Sequence, residues 1–160
     1  MKAKNKIQQE IPAGIIISSA TEADLPFISV LMLELIESLD KTERANLENI
    51  QQNFIPLLGN NDSKMLTARK GNKVVGFIHL TIRQTLFHPK PSGQIEELIV
   101  TKGQRGQGIG TLLVSAAIEK CRQLKCCEIE VSTEKTNIKA NEFYKRCGFN
   151  ECGIVFEKHI

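Results

Sequence analysis

The segment Gln104-Arg105-Gly106-Gln107-Gly108-Ile109-Gly110-Thr111 constrains the fold of this chain more than any other. It joins a strand-like run at 95–100 to a helix-like run at 111–125. Glycines at every second position strip side chains from the turn, so backbone N–H groups can close on a ligand. The first turn of a helix leaves those donors unpaired, and the helix dipole adds partial positive charge. A strand, a glycine turn and a helix in that order describe either a phosphate cradle or a tight connection with no ligand.

Spacing removes two familiar phosphate loops. A Walker A loop needs Gly-Lys-Ser/Thr at the helix start, whereas Gly108 is followed by Ile109, Gly110 and Thr111. A Rossmann fingerprint needs a glycine five residues after the first, where this chain has Thr111, and it belongs in a first βα unit. What stands is Arg-x-x-Gly-x-Gly between strand and helix.

Periodicity supplies the surroundings. Residues 14–18 are β-rich. Leu25, Ile28, Met32, Leu35 and Leu39 recur at helical spacing, with Asp24 as N-cap and Pro26 in the first turn. Leu47, Ile50, Phe54 and Leu57 mark a second helix. Residues 64–69 and 73–84 read as an antiparallel hairpin about Lys70-Gly71-Asn72, and residues 88–93 form the strongest breaker cluster. Beyond the glycine turn come a helix with Leu113, Ala117, Cys121 and Leu124 on one side, a strand at 128–132, a helix at 137–147 and a last strand at 152–158. The expected class is α/β with one mixed sheet, in the order β-α-α-β-β-β-α-β-α-β. With 160 residues, a loose polar arm at 1–10 and one domain at 11–160 account for the chain.

A net charge of +3 agrees with an anionic ligand, and no basic run with interleaved aromatics suggests nucleic acid. Residues 1–10 have no apolar core, so they are not read as a signal peptide, and no segment has the length and apolarity of a membrane span. Five cysteines, an odd number in the last third, read as reduced thiols in a cytoplasm. Without a Cys-x-x-Cys pair, and with His159 the nearest histidine in sequence, no metal site is expected. His79 reads as a satisfied core group and His88 receives no role.

A second motif is Asn137-Ile138-Lys139-Ala140-Asn141-Glu142-Phe143-Tyr144-Lys145-Arg146-Cys147-Gly148-Phe149. On a helix, Asn137, Ala140 and Tyr144 share a face over about 10 Å of rise, a stripe suited to a long thin ligand. Gly148 is placed to end the helix. Tyr144 is the only tyrosine, and every other aromatic is phenylalanine, which favours a task for the hydroxyl.

The two motifs, in this order and spacing, resemble those of the GNAT superfamily of acetyl-coenzyme A-dependent N-acetyltransferases. The resemblance is close over residues 95–149 and follows the expected element order elsewhere. It implies a GNAT-like fold and transfer of acetyl from acetyl-CoA to a primary amine of a small molecule or peptide. Arg105, Gly106, Gln107, Gly108, Ile109, Gly110 and Thr111 would hold the pyrophosphate. Leu98, Ile99 and Val100 would offer backbone groups to pantetheine from a strand splayed from its neighbour. Asn137 and Ala140 would line the pantetheine arm, with Tyr144 as general acid for the leaving thiolate. Glu96 matches a glutamate that serves as base in some polyamine-acetylating members, and Glu97 is the alternate. Strand alternation would send these two to opposite faces. Dimers are common in the family, and the sequence marks no surface for one. The alternative is a non-catalytic acyl-CoA-binding or regulatory module.

Overall fold

The structure is a computed structural model that describes residues 14–39, 46–158 and 160. The expected arm at 1–10 and His159 lie outside the described residues. The elements are β1 (Ile15–Ser19), α1 (Leu25–Ser38), α2 (Leu47–Leu58), β2 (Ser63–Lys70), β3 (Lys73–Arg83), β4 (Ser92–Val100), α3 (Ile109–Gln123), β5 (Glu128–Val131) and α4 (Ile138–Arg146). They build one sheet in the order β1-β2-β3-β4-β5. Pairing is antiparallel up to β4 and parallel between β4 and β5, the two strands that α3 connects. This is the expected mixed α/β sheet.

Each face of the sheet has its own core. On one, Ala68, Val75, Ile78, Leu80 and Ile95 meet Ile109, Leu113, Val114, Ala117 and Cys121 of α3, with Phe143, Tyr144 and Phe149 packed alongside. On the other, Met65, Val74, Phe77 and Ile99 meet Ile28 and Leu31 of α1 and Phe54 of α2. The near-continuous burial of β3 from Val74 to Leu80 follows from this two-sided cover. Residue type explains one close approach: a Cβ on Gly76 would lie 3.0 Å from Leu113 Cδ1 and 3.3 Å from the Ile99 carbonyl.

Asp24 departs from its expected role. Its side chain makes no cap bond to α1; instead it accepts from the Thr21 backbone N–H at 2.8 Å and the Thr21 hydroxyl at 3.1 Å, and pairs with Arg69 of β2. It therefore staples the entry of α1 to the sheet. Burial, the largest single influence, raises the Asp24 carboxyl, but the Thr21 and Arg69 contacts together outweigh it and leave the group below the usual carboxylate range.

α4 ends as expected at Gly148 (φ 91°), with Phe149 N–H donating to the Tyr144 carbonyl and Gly148 N–H to that of Lys145. This double bond pattern fixes the last turn, and the Phe149 ring packs edge-on to Tyr144 at 5.7 Å. The expected strand at 152–158 does not form. Ile154, Val155 and Phe156 stand exposed, so β-propensity there finds no strand to pair with. No helix among the described residues is long and apolar enough to cross a membrane.

Candidate active site

The pairing of β4 sets the site. Its contact with β5 runs only from Ser92↔Glu128 to Ile95↔Val131. From Glu96 to Val100 that side of β4 has no strand partner among the described residues, which leaves outward-facing backbone groups without a ladder there. This is the splay expected for the strand that carries Leu98, Ile99 and Val100. The Val100 carbonyl is taken, because Arg105 Nε donates to it at 2.8 Å.

The glycine turn follows at once. Gly106 and Gly108 hold φ 77° and 81°, in the left-handed region that a side chain disfavours. α3 begins at Ile109, two residues earlier than periodicity suggested, and Gly108 caps it without any side-chain hydrogen bond. The first N–H groups of this 15-residue helix thus have no side-chain cap among the described residues. Gly110 has a different cause. A Cβ there would meet Phe143 Cε2 and Cζ at 3.3 Å, so this glycine lets α4 press on the start of α3. The Arg105 guanidinium turns away from the turn towards Glu34 of α1, at 3.9 Å. Glu34 also accepts from the Thr101 hydroxyl at 2.8 Å and the Lys102 backbone N–H at 3.0 Å. Sequence reading missed this carboxylate, and its signal was one acid inside the apolar run Leu31-Met32-Leu33-Glu34-Leu35-Ile36.

On α4, Asn137 is the N-cap and accepts from the Ala140 N–H at 3.2 Å, while Asn141 ties the preceding loop through the carbonyls of Glu134, Lys135 and Asn137. Asn137 therefore has a structural task beside any contact with a ligand. Tyr144 is partly buried, edge-on to Phe143 at 5.1 Å, and its hydroxyl forms no hydrogen bond among the described residues. Burial first, and the neighbouring Cys147 second, push the phenol up to about 12, so it keeps its proton.

The two glutamates behave otherwise than alternation implies. His79 pairs with Glu97 and Leu80 with Ile95, so Glu96 is an extra residue in a β-bulge. Thr81 donates to Glu96 and His79 Nδ1 bonds Glu97 at 2.7 Å. Because His79 and Thr81 are two apart on β3, both carboxylates lie on the face of the sheet that α1 and α2 cover. Arg83, on the same face, bonds Gln94 at 3.2 Å and pairs with Glu130 of β5. Glu96 is exposed, while Glu97 is half-buried with Oε1 unbonded among the described residues. Tyr144 lies on the opposite, α3 side, so the open edge of β4 is where the two faces communicate.

The fold also brings His88 to Cys127 and Glu128, a trio with ligand-type atoms within 4.8 Å of one another. His88 Nε2 pairs with Glu128 at 3.3 Å, and the Cys127 thiol points at the Lys90 and Pro91 carbonyls. These bonds tie the breaker loop to the start of β5, at the end of β4 away from the glycine turn.

The sequence pattern of the Acetyltransferase (GNAT) family matches residues 30–149. The chain is 33% identical over 141 residues to the aminoalkylphosphonate N-acetyltransferase of Salmonella typhimurium, covering 88% of each. Among solved structures, an aminoglycoside acetyltransferase from an uncultured soil metagenomic sample is similar at TM-score 0.75 and 26% identity, covering 94% of this chain and 99% of that one. A transcriptional regulator from Bacillus halodurans reaches TM-score 0.79 at 25% identity, covering 91% and 99%. With a splayed β4, a glycine turn opening an uncapped helix, and a family match over three quarters of its length, the chain belongs to the GNAT family of acetyltransferases.

Proposed function

We propose that this acetyltransferase moves an acetyl group from acetyl-CoA to the primary amine of a small molecule or peptide, by direct attack with both substrates bound. The observation that carries the reading is the open edge of β4, with donor-type groups on one face and two carboxylates on the other. The residues fit coenzyme A. Uncapped N–H groups of Ile109, Gly110 and Thr111, with the backbone of Arg105 to Gly108, suit the pyrophosphate, and a Cβ at Gly106 would meet nothing within 4 Å. Leu98 and Ile99 offer backbone partners to the pantetheine amides, and a backbone N–H of this stretch of β4 would donate to the thioester carbonyl and polarise it. Asn137 and Ala140 flank the same arm.

Tyr144 meets the departing sulfur as general acid. At about 12 the phenol is a weaker acid than an ordinary thiol near 8.5, so its main contribution is an O–H donation that holds the sulfur's developing charge. On the other face a carboxylate takes a proton from the acceptor's ammonium, and the neutral amine so formed attacks the thioester carbonyl. Glu97 is the better placed of the two, since His79 holds one oxygen and the other is open; Glu96, exposed and bonded to Thr81, adds attraction for a cation. With Glu130 and Arg83 beside them, this cluster is net acidic, which favours an amine that carries more than one positive charge. Its five cysteines, all free thiols, suit the cytoplasm as the compartment.

The test is thermal shift with acetyl-CoA, ATP and NAD, followed by thiol release over polyamines, aminoglycosides, aminoalkylphosphonates and peptides with free N-termini. Acetyl-CoA should raise the Tm and at least one amine should accelerate thiol release. Stabilisation by ATP or NAD without acetyl-CoA would overturn the reading.

A further inference from the structure

We infer that His79 and Ser63 are positioning residues that aim the Glu97 carboxylate at the acceptor amine. The inference rests on the reading of Glu97 as proton acceptor. Three side chains from three adjacent strands form one chain of hydrogen bonds: Ser63 Oγ of β2 to His79 Nε2 at 2.9 Å, and His79 Nδ1 of β3 to Glu97 Oε2 of β4 at 2.7 Å. Ser63 and His79 are 6% and 4% exposed, whereas the Glu97 side chain is 33% exposed. The chain therefore starts in the core and ends at the surface of the site.

The direction of each bond follows from the groups. An ionised carboxylate only accepts, so Nδ1 must carry the proton that faces Glu97. In the neutral ring Nε2 is then an acceptor, and the Ser63 hydroxyl must be its donor. Ser63 thus selects the ring tautomer that bonds Glu97. The opposite tautomer would set the Nδ1 lone pair against a carboxylate oxygen and push it aside. With Oε2 held, Oε1 is the oxygen left to take the amine's proton, and Oε2 keeps its bond to Nδ1–H after that transfer. The bulge at Glu96 belongs to the same device, because it brings Glu97 into register with His79. A polar core histidine with no task in the site would need partners, but not a half-exposed carboxylate as one of them.

The test is a cycle built on Ser63→Ala, His79→Gln and Glu97→Gln. It is read by thiol release with the most active amine of the panel, or with water alone, beside acetyl-CoA affinity by calorimetry. Ser63→Ala and His79→Gln should each lower kcat roughly 10-fold, the size usual for a group that orients another, with acetyl-CoA affinity and the KM for amine nearly unchanged. Added to Glu97→Gln, neither should lower the rate further, which a purely structural loss would not reproduce. In the nitrogen NMR spectrum of the parent, His79 should show Nδ1 protonated, and Ser63→Ala should raise the Nε2-protonated share. Equal fold-losses in both backgrounds, or full activity of Ser63→Ala with an unchanged tautomer, would overturn the inference while leaving Glu97 as base. Full activity of Glu97→Gln would remove the base reading and this inference with it.

Discussion

Replacing Tyr144 by phenylalanine separates catalysis from folding with unusual cleanness in this protein. The ring contributes to the fold through edge contacts with Phe143 and Phe149, and both survive loss of the oxygen. The hydroxyl itself forms no hydrogen bond among the described residues, so its removal strands no protein partner. The Tm of Tyr144→Phe should accordingly stay within a degree or two of the parent. The rate should not. One preorganised donor to charge developing in the transition state is worth about 10²–10³ in kcat, or about 3–4 kcal/mol, and kcat should fall by that factor. Acetyl-CoA affinity, which the proposed site assigns to the glycine turn and β4 rather than to this hydroxyl, should change less than about 3-fold. Because burial and Cys147 raise the phenol to about 12, the parent should show no alkaline fall in rate from this group below that range. The sign for stability follows as well. An acid raised in the folded state favours folding below its ordinary value of 10.0, and that contribution disappears as pH rises through about 12. The variant lacks this alkaline loss. The assays are thiol release for kcat, calorimetry for acetyl-CoA and thermal melts across pH. Equal kcat in parent and variant would refute the reasoning, and so would a Tm loss of several degrees, which would show that the hydroxyl has a structural partner.

Two further substitutions test the frame around the site. Gly110→Ala drives a Cβ to 3.3 Å from the Phe143 ring, an overpacking cost of about 1–2 kcal/mol partly offset by better helix propensity. The expected Tm loss is roughly 2–4 °C, with a fall in kcat as α4 shifts, and a fully active, equally stable variant would sink the contact argument. Asp24→Asn leaves Arg69 without its buried partner and weakens the Thr21 bonds, at about 3 kcal/mol in thermal melts near neutral pH. Since the Asp24 carboxyl lies below its ordinary value despite burial, the stabilisation is complete above about pH 4 and lost as pH falls through the folded value. The gap between parent and variant should close in acid, and a gap that persists unchanged would contradict the assignment.

Local chemistry made much of this protein legible from its residues. Gly106 and Gly108 declared a left-handed turn before a helix, Gly148 a helix end, and hydrophobic period the four helices and five of the six strands. Such features depend on neighbours close in sequence, where steric limits on φ and periodic burial act directly. Residues 152–158 show the limit of that signal, because strand propensity requires a partner edge and none meets it here.

Tertiary structure decided what depends on pairing across the sheet. The bulge that puts Glu96 and Glu97 on one face is a mismatch between β3 and β4, and no alternation rule applied to β4 alone reveals it. Gly110 looked like part of a phosphate turn and proved also to be the seat of Phe143, a residue 33 positions away on another helix. His79 and Ser63 became partners of Glu97 only when three strands were laid side by side, and Glu34 became the anchor of the turn only when α1 crossed the end of β4. The sequence by itself determined which segments form the glycine turn and the helices, since backbone freedom and burial period are local properties. Only the tertiary structure decided which partners hold Glu96 and Glu97, since a hydrogen bond between strands depends on register.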